Sequence, residues 1–529
     1  MTRLLLFQVL LVLAGVGAVA GGWLLRKHDR LVSRTVRAFI GLYAAVNLGF
    51  LVFLWFNHVG FPLHLDLMEG LILQHLQQLT QGQPVYPVPS PDFVPLAYNP
   101  LFYVVSVPFA WLFGTSLPTM RFVAILGHAG IAIMLYLIVL DRTRSHWWSF
   151  VTVGLVAAAY RVMDAYLDTA HADSCFLFTA LLGTYMLGRS RTRTGRILAV
   201  LVLVLSFWFK QHGAWFAIGG VLYLTWQEGV RRSLPYWAVA ALAGPAVYLL
   251  VGPALFGSHF HYFTWTVPRG WSTVELATAE RLATFVALSY PVLALLAALF
   301  FVPDAVRRQR ELGVYLFQFL AAMATGVMGA LDAGSSNNVF IPMGTFLVLC
   351  GLLAVERLHR TAAWFRRGNV FALVLLATFA LLAYRPATVI QSSTARESYR
   401  DLISMLKGLE ATVYAPYLAR LPEDYTFFPT AHWAPLEDMI RGPGKELRNH
   451  PVTRRLLDAV IHPRGKAFIL TNTPLEEMEW SEFLLRHYVL EQDFGRRFEG
   501  LRTLPGRWDH GYPRLLYRYR GAERGSAER

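Results

Sequence analysis

Residues 4–25 read LLLFQVLLVLAGVGAVAGGWLL, and Gln8 is the only strongly polar side chain among them. A helix of that length crosses the ~30 Å of hydrocarbon in a bilayer. Within lipid only a helix or a closed barrel satisfies its own backbone. The run is long for a cleavable leader, has only Arg3 ahead of it and is followed by RKHDR, so the expectation is a retained span. Comparable runs recur down to residue 384. The inferred crossings are 4–25, 38–57, 118–140, 147–165, 174–188, 197–209, 212–226, 235–255, 281–301, 313–331, 339–355 and 369–384, twelve in all. Residues 385–529 instead mix charge, Pro and short apolar patches. The sequence thus predicts an all-α polytopic membrane bundle over 1–384 and a small soluble α/β domain over 385–529.

Lys and Arg number 48 against 34 Asp and Glu, a net charge of +14. That balance occurs in proteins that bind nucleic acid, but here most basic residues sit in short loops between apolar runs, as the positive-inside rule requires. No nucleic-acid partner is expected. Loops 26–37, 141–146, 189–196, 227–233, 302–312 and 356–368 are assigned to the inside. Both termini and the soluble domain then lie on the external or periplasmic side of an inner or plasma membrane. The apolar stretch 98–113, YNPLFYVVSVPFAWLF, is short and holds Pro100 and Pro108. It is expected as a re-entrant or interfacial helix, because a further crossing would invert the next basic loops. The spans 197–209 and 212–226 are short and point to local thinning or a cavity. Cys175 and Cys350 lie in or beside apolar runs, too few for a disulfide framework.

The unusual polar residues then collect on the outer side. Loop 58–97 contains LHLDLMEGLILQHLQQLTQGQPVYP, whose apolar residues recur at helical spacing from Asp66 to Leu79. This predicts an amphipathic helix in the interface, with Asp66 and Glu69 on one face. Two such carboxylates can bind a divalent cation, accept a proton or simply favour the start of the helix. RVMDAYLDTAHAD, 161–173, holds Arg161, Asp164, Asp168, His171 and Asp173. Ionisable groups at the edge of a bundle are costly unless paired, wet or functional. In WFKQHGAWF, 208–216, Lys210 and Gln211 form a tight turn where a cation can hold phosphate or snorkel to the interface. Loop 256–280 carries His259, His261 and Arg269 among aromatics, a weak metal signal. In 331–344, Asn337 and Asn338 can hydrogen-bond a sugar or phosphate, or cap the next helix. In the tail, 411–416, 466–471 and 515–520 read as strands, and 397–409 and 477–490 as helices. No phosphate loop, metal quartet or nucleophile elbow occurs there.

Several of these features together resemble the GT-C superfamily of integral membrane glycosyltransferases, nearest the branch containing protein O-mannosyltransferases and the lipid A aminoarabinose transferase. The resemblance covers roughly residues 38–355. It rests on HLDLMEG at 64–70, YNPLFYVVSVPFAWLFG followed by Arg121, the acidic stretch from Arg161 to Asp173, the Lys210–Gln211 pair and the turn at Asn337 and Asn338. It implies a sugar carried on a polyprenyl phosphate or diphosphate and transferred, with inversion, to a glycan, lipid or protein acceptor. By similarity Asp66 is the general base. Asp173 is the second acidic position, where some relatives help bind metal. Lys210 and Arg269 hold the carrier phosphate, with Arg161, His171, Gln211, His261, Asn337 and Asn338 as further substrate contacts. Here Glu69 follows Asp66 by three residues instead of directly, which leaves a divalent cation open. The alternative is a transporter or flippase for lipid-linked sugars. That reading expects a two-sided polar path, often with inverted repeats, and the sequence offers neither.

Overall fold

The computed structural model describes residues 2–25, 28–271, 276–301, 312–332, 335–418, 431–436, 451–478, 481–504 and 511–520. The basic loop 302–312, apart from Leu312, lies outside them, as do Arg26 and Lys27 of the first basic loop. The chain is a multi-pass membrane protein. An all-α bundle carries a small C-terminal domain built on a four-stranded sheet. Each of the twelve inferred crossings overlaps a helix, but 147–165 runs past the end of His146–Ala158 into irregular backbone. Among the described residues six helices are long and apolar enough to span alone, and a pair bent by 93° at Tyr290 has the composition of either a broken span or a re-entrant loop.

The long helices are α1 (Arg3–Leu24), α2 (Asp29–Val59) and α5 (Leu117–Thr143). Between α2 and α5 lie α3 (Glu69–Thr80) and α4 (Leu101–Phe113). After α5 come α6 (His146–Ala158), α7 (Asp173–Arg189), α8 (Arg193–Phe209) and α9 (Ala214–Glu228). Next is α10 (Val230–Ala241), which runs through a π turn at Leu242–Ala246. The bent pair is α11 (Leu276–Ser289) and α12 (Pro291–Phe300), and α13 (Gly313–Ala330), α14 (Ile341–Thr361) and α15 (Val370–Leu382) complete the bundle. Gln8, the polar exception in α1, donates to the Ala380 carbonyl of α15 at 3.0 Å, so its N–H finds a partner inside the bundle.

Helix α4 has 13 residues with Pro108 inside it. At 1.5 Å per residue it is roughly 20 Å long, short of a bilayer core. Helix α3 corrects the expectation of a surface helix, because every residue from Glu69 to Leu76 is buried. Amphipathic spacing fits a protein cover as well as a lipid interface, and the cover is the following loop: Leu96 N–H donates to His75 Nε2 at 2.9 Å.

In the C-terminal domain the sheet order is β1 (Thr412–Tyr414), β2 (Ala467–Thr471), β4 (Leu515–Tyr519), β3 (Tyr488–Asp493). The pair β1–β2 is parallel, joined through α17 (Pro451–Ile461), and the other pairs are antiparallel. A further helix, α16 (Ala395–Gly408), precedes the sheet. The expected helix over 477–490 is corrected to a short α18 (Ser481–His487) followed by β3. Strand β3 is an edge whose exposed charges pair across to β4, Asp493 with Arg514 at 2.6 Å and Glu491 with Arg518 at 2.9 Å. The domain docks on the bundle through a second apolar core in which Leu402, Phe498 and Leu501 meet Phe61, Leu63 and Leu65. Leu504 N–H donates to the Leu65 carbonyl at 2.7 Å, one residue from Asp66.

Candidate active site

Residues 60–68 leave α2 as an irregular loop, and the Arg121 guanidinium of α5 staples it. Arg121 donates to the carbonyls of His58, Phe61 and Leu63 at 3.1, 2.6 and 2.5 Å. It also makes a two-point bond to Glu69, Nε to Oε1 at 2.9 Å and Nη2 to Oε2 at 2.5 Å. Glu69 accepts in addition from Leu65 N–H at 2.6 Å and Ala170 N–H at 2.7 Å. Both side chains are fully buried. Glu69 therefore ties two loops together and does not share a helical face with Asp66. The helix begins at Glu69, and Asp66 sits in the turn before it, its Oδ1 accepting from Met68 N–H at 2.6 Å.

Asp66 instead meets His171. Oδ2 lies 2.6 Å from the imidazole Nε2, and His171 Nδ1 lies 4.0 Å from Asp173 Oδ2. Asp173 opens α7 and accepts from Lys210 Nζ at 2.7 Å, while Asn338 Nδ2 reaches its other oxygen at 3.5 Å. Lys210 can stand there because the α8–α9 turn is unusually tight: a Cβ on Gly213 would overlap the Ser206 carbonyl. Four ionisable groups thus follow one another, Asp66, His171, Asp173 and Lys210, all of them buried.

Burial works against charge on both Asp66 and His171. The Asp66 carboxylate outweighs it for His171, with Asp173 and Glu69 adding, and the imidazole is raised above its ordinary value of 6.5. His171 in turn holds Asp66 below its ordinary 3.8. By linkage, the stability from His171 is complete below about pH 6.5 and lost as pH rises through its raised folded value. The Asp66 share is present above 3.8 and lost as pH falls through its lowered folded value. The deficit in Tm of His171→Gln relative to the parent is therefore expected to be largest near pH 6 and to shrink toward pH 9, read by thermal unfolding in detergent. A deficit independent of pH would show that the ring acts by packing alone.

His171, Lys210, Gln211, Arg269 and Asn338 line one cavity of about 380 Å³. The aromatic rings of Tyr98, Tyr166, Trp215, Trp265 and Trp271 form part of its remaining wall, Asp332 adds a carboxylate, and Leu67 and Met68 beside Asp66 also face it. The Lys210 ammonium stands 5.7 Å over the Tyr98 ring. Gln211 fixes the rim by donating to the Ala97 and Thr264 carbonyls at 2.9 and 3.2 Å. Arg269 is exposed at the opening. Arg161 and Asn337 face a neighbouring cavity of about 420 Å³ across the 335–338 turn. Arg161 pairs with Asp164 at 3.1 Å, and Asp164 accepts from Asn337 N–H at 2.7 Å. His261 lines neither cavity; its Nε2 donates to the Tyr248 carbonyl at 3.0 Å.

Sequence reasoning noted the aromatics of loop 256–280, which supply Trp265 and Trp271, but missed Tyr98, Tyr166 and Trp215. It also missed the use of Asp168, which lies 2.9 Å from His58 Nδ1 and accepts from Tyr160 OH at 2.5 Å. His58 Nε2 donates to the Val389 carbonyl at 2.7 Å, so this buried cluster anchors the start of the tail. For a divalent cation, several oxygen donors must converge. Glu69 is saturated by Arg121 and two amides, and Asp173 is taken by Lys210. No group of three His, Cys, Asp or Glu among the described residues is placed to hold a metal, so this donor set does not fit a resident cation.

No protein-family model matches the chain, and no curated protein sequence matches it. The fold is similar to that of ArnT from Cupriavidus metallidurans. The apo crystal structure aligns over 91% of this chain and 98% of that one, with a TM-score of 0.55 and 12% identity. The structure of that protein bound to undecaprenyl phosphate aligns over the same shares, with a TM-score of 0.50 and 12% identity. The chain therefore shares the fold of ArnT along nearly its whole length.

Proposed function

We propose that the chain is a membrane glycosyltransferase that moves a sugar from a polyprenyl-phosphate carrier to an acceptor at the outer face of the membrane. The observation that carries this reading is the cavity. A buried lysine and an arginine at the opening face the same space as the His171 imidazole, which lies 2.6 Å from the Asp66 carboxylate behind it. The apolar bundle around it offers a path for a lipid tail, and the aromatic wall suits the apolar faces of a sugar ring. The likeness of fold to a protein crystallised with undecaprenyl phosphate supports the same class of carrier. The basic inner loops support an outward-facing site.

In this reading the acceptor oxygen attacks the anomeric carbon from the side opposite the phosphate, which inverts that carbon. The new C–O bond forms as the C1–O bond to the carrier breaks, and its electron pair leaves with the phosphate. The acceptor proton passes to the Asp66 carboxylate, held in place by His171 and the Met68 amide. Lys210 and Arg269 stabilise the charge that grows on the departing phosphate, more strongly here than in water. Asp173 holds Lys210 while no phosphate competes for it.

Lys210→Ala removes one charge-assisted contact and is expected to raise the KM for a purified lipid-linked donor roughly 10- to 100-fold. Sugar transfer measured across a full donor titration checks this, and an unchanged KM removes Lys210 from the donor site. The same assay separates the enzyme from a flippase, which would move the lipid-linked sugar across vesicles without releasing carrier phosphate.

A further inference from the structure

A groove of about 700 Å³ lies between the start of α1, the later half of α2 and the end of α15, apart from both cavities above. Aromatic rings form its walls, with Phe7 and Tyr43 at 6.1 Å and Phe50 and Tyr384 at 6.4 Å between centroids. Arg3 and Arg385 stand at its rim, and both are exposed. No acidic residue lines the groove. Among the described residues neither guanidinium has an ion pair or a side-chain hydrogen bond. The neighbouring face of α1 is open to the bilayer, with Leu6, Leu10 and Leu13 about half exposed.

We infer that this groove binds an anionic glycerophospholipid, its phosphate between Arg3 and Arg385 and one acyl chain along the aromatic walls. Three features select that occupant. Two cations with no acid beside them call for an anion, and a guanidinium matches phosphate oxygens in pairs. The apolar channel continues from the charged rim into the lipid-facing side of α1, as an acyl chain would. The groove holds no carboxylate or imidazole, so a lipid resting there meets no acid or base and stays intact. The position also gives the lipid a structural task. Arg385 begins the connection to the C-terminal domain, and Val389, four residues on, is held by His58. A phosphate shared by Arg3 and Arg385 would tie α1 to the point where the tail leaves the bundle.

The test uses the full chain, delipidated in detergent, with phosphatidylglycerol and zwitterionic phosphatidylcholine as probes. Retained lipid is counted by native mass spectrometry, and affinity is read from the lipid-dependent rise in Tm. The parent is expected to keep one phosphatidylglycerol in preference to phosphatidylcholine. Arg3→Gln/Arg385→Gln should weaken that binding roughly 10- to 30-fold, as two surface charges imply. Val46→Trp, which fills the channel from α2, should remove the same lipid with both arginines in place. Equal retention of the two lipids overturns the inference, as does a preference that neither variant alters. Mole-for-mole displacement by added polyprenyl phosphate also overturns it, because the groove would then be a second carrier site.

Discussion

Glu69→Gln is expected to yield a protein that inserts poorly and unfolds at much lower temperature, instead of a well-folded enzyme with a slow chemical step. The Glu69–Arg121 pair is fully buried and joined at two points. Removing the negative partner leaves a guanidinium with only carbonyls and an amide around it. Stranding one member of a buried pair costs about 3–5 kcal/mol. That is a large share of the ~5–15 kcal/mol that separates a typical folded domain from its unfolded state. The loss is local as well as global, because the same carboxylate holds the Leu65 and Ala170 amides on either side of the site. Arg121→Met should fail in a similar way, since it strands Glu69 and frees three loop carbonyls. The double variant removes both charges and should be less damaged than the two single losses predict when added. Recovery is expected to stop short of the parent, because the carbonyls of His58, Phe61 and Leu63 still lack their donor. Monodispersity and Tm of the four proteins in detergent close the cycle. A Glu69→Gln protein with normal Tm and no transfer activity would put Glu69 in the chemistry after all.

The architecture was legible where one element announces itself by length and composition. The run at 4–25 becomes α1 almost residue for residue, and the tail strands at 466–471 and 515–520 fall on β2 and β4. What could not be read was which polar side chains find each other. Glu69 and Arg121 are 52 positions apart, and Asp173 and Lys210 are 37 apart. Their pairing follows from how α3, α5, α7 and the α8–α9 turn pack, which no local pattern encodes. Spacing also misled at Asp66. Three positions from Glu69 implied a common helical face, but an aspartate that bonds the amide two residues on forms a turn before the helix begins. Arg161 and Asp173 were read as one cluster, yet the irregular backbone between them, with Asp164 and Ala165 at φ 56° and 60°, turns Arg161 toward a different cavity from the one Lys210 lines. Edge strand β3 was hidden because YVLEQD is exposed from Val489 to Asp493, shows no buried–exposed alternation and follows a helix directly.

Asp66→Asn is expected to lower turnover by at least ~100-fold while donor binding stays nearly normal, since general-base help is worth roughly 100- to 10,000-fold. Asparagine keeps the size of aspartate, and its carbonyl can still accept from Met68 N–H, so the turn ahead of α3 should survive. What disappears is the basic oxygen and the charge that faces His171 at 2.6 Å. The lost charge also lets the His171 imidazole fall back toward its ordinary value, because Asp66 is the main group that raises it. The pH series of Tm then separates two roles for the carboxylate. If Asp66 both positions His171 and takes the proton, the variant loses the pH-dependent part of its stability and its turnover together. If Asp66 only holds the ring, the pH-dependent stability goes while turnover falls by less than about tenfold, and His171→Gln then becomes the slower variant, because the imidazole itself takes the proton. Single-turnover transfer from a purified lipid-linked donor, measured for both variants in parallel, tells these apart. An active Asp66→Asn together with an active His171→Gln would move the base elsewhere, and Asp173, 4.0 Å beyond the ring, would be the next carboxylate to test.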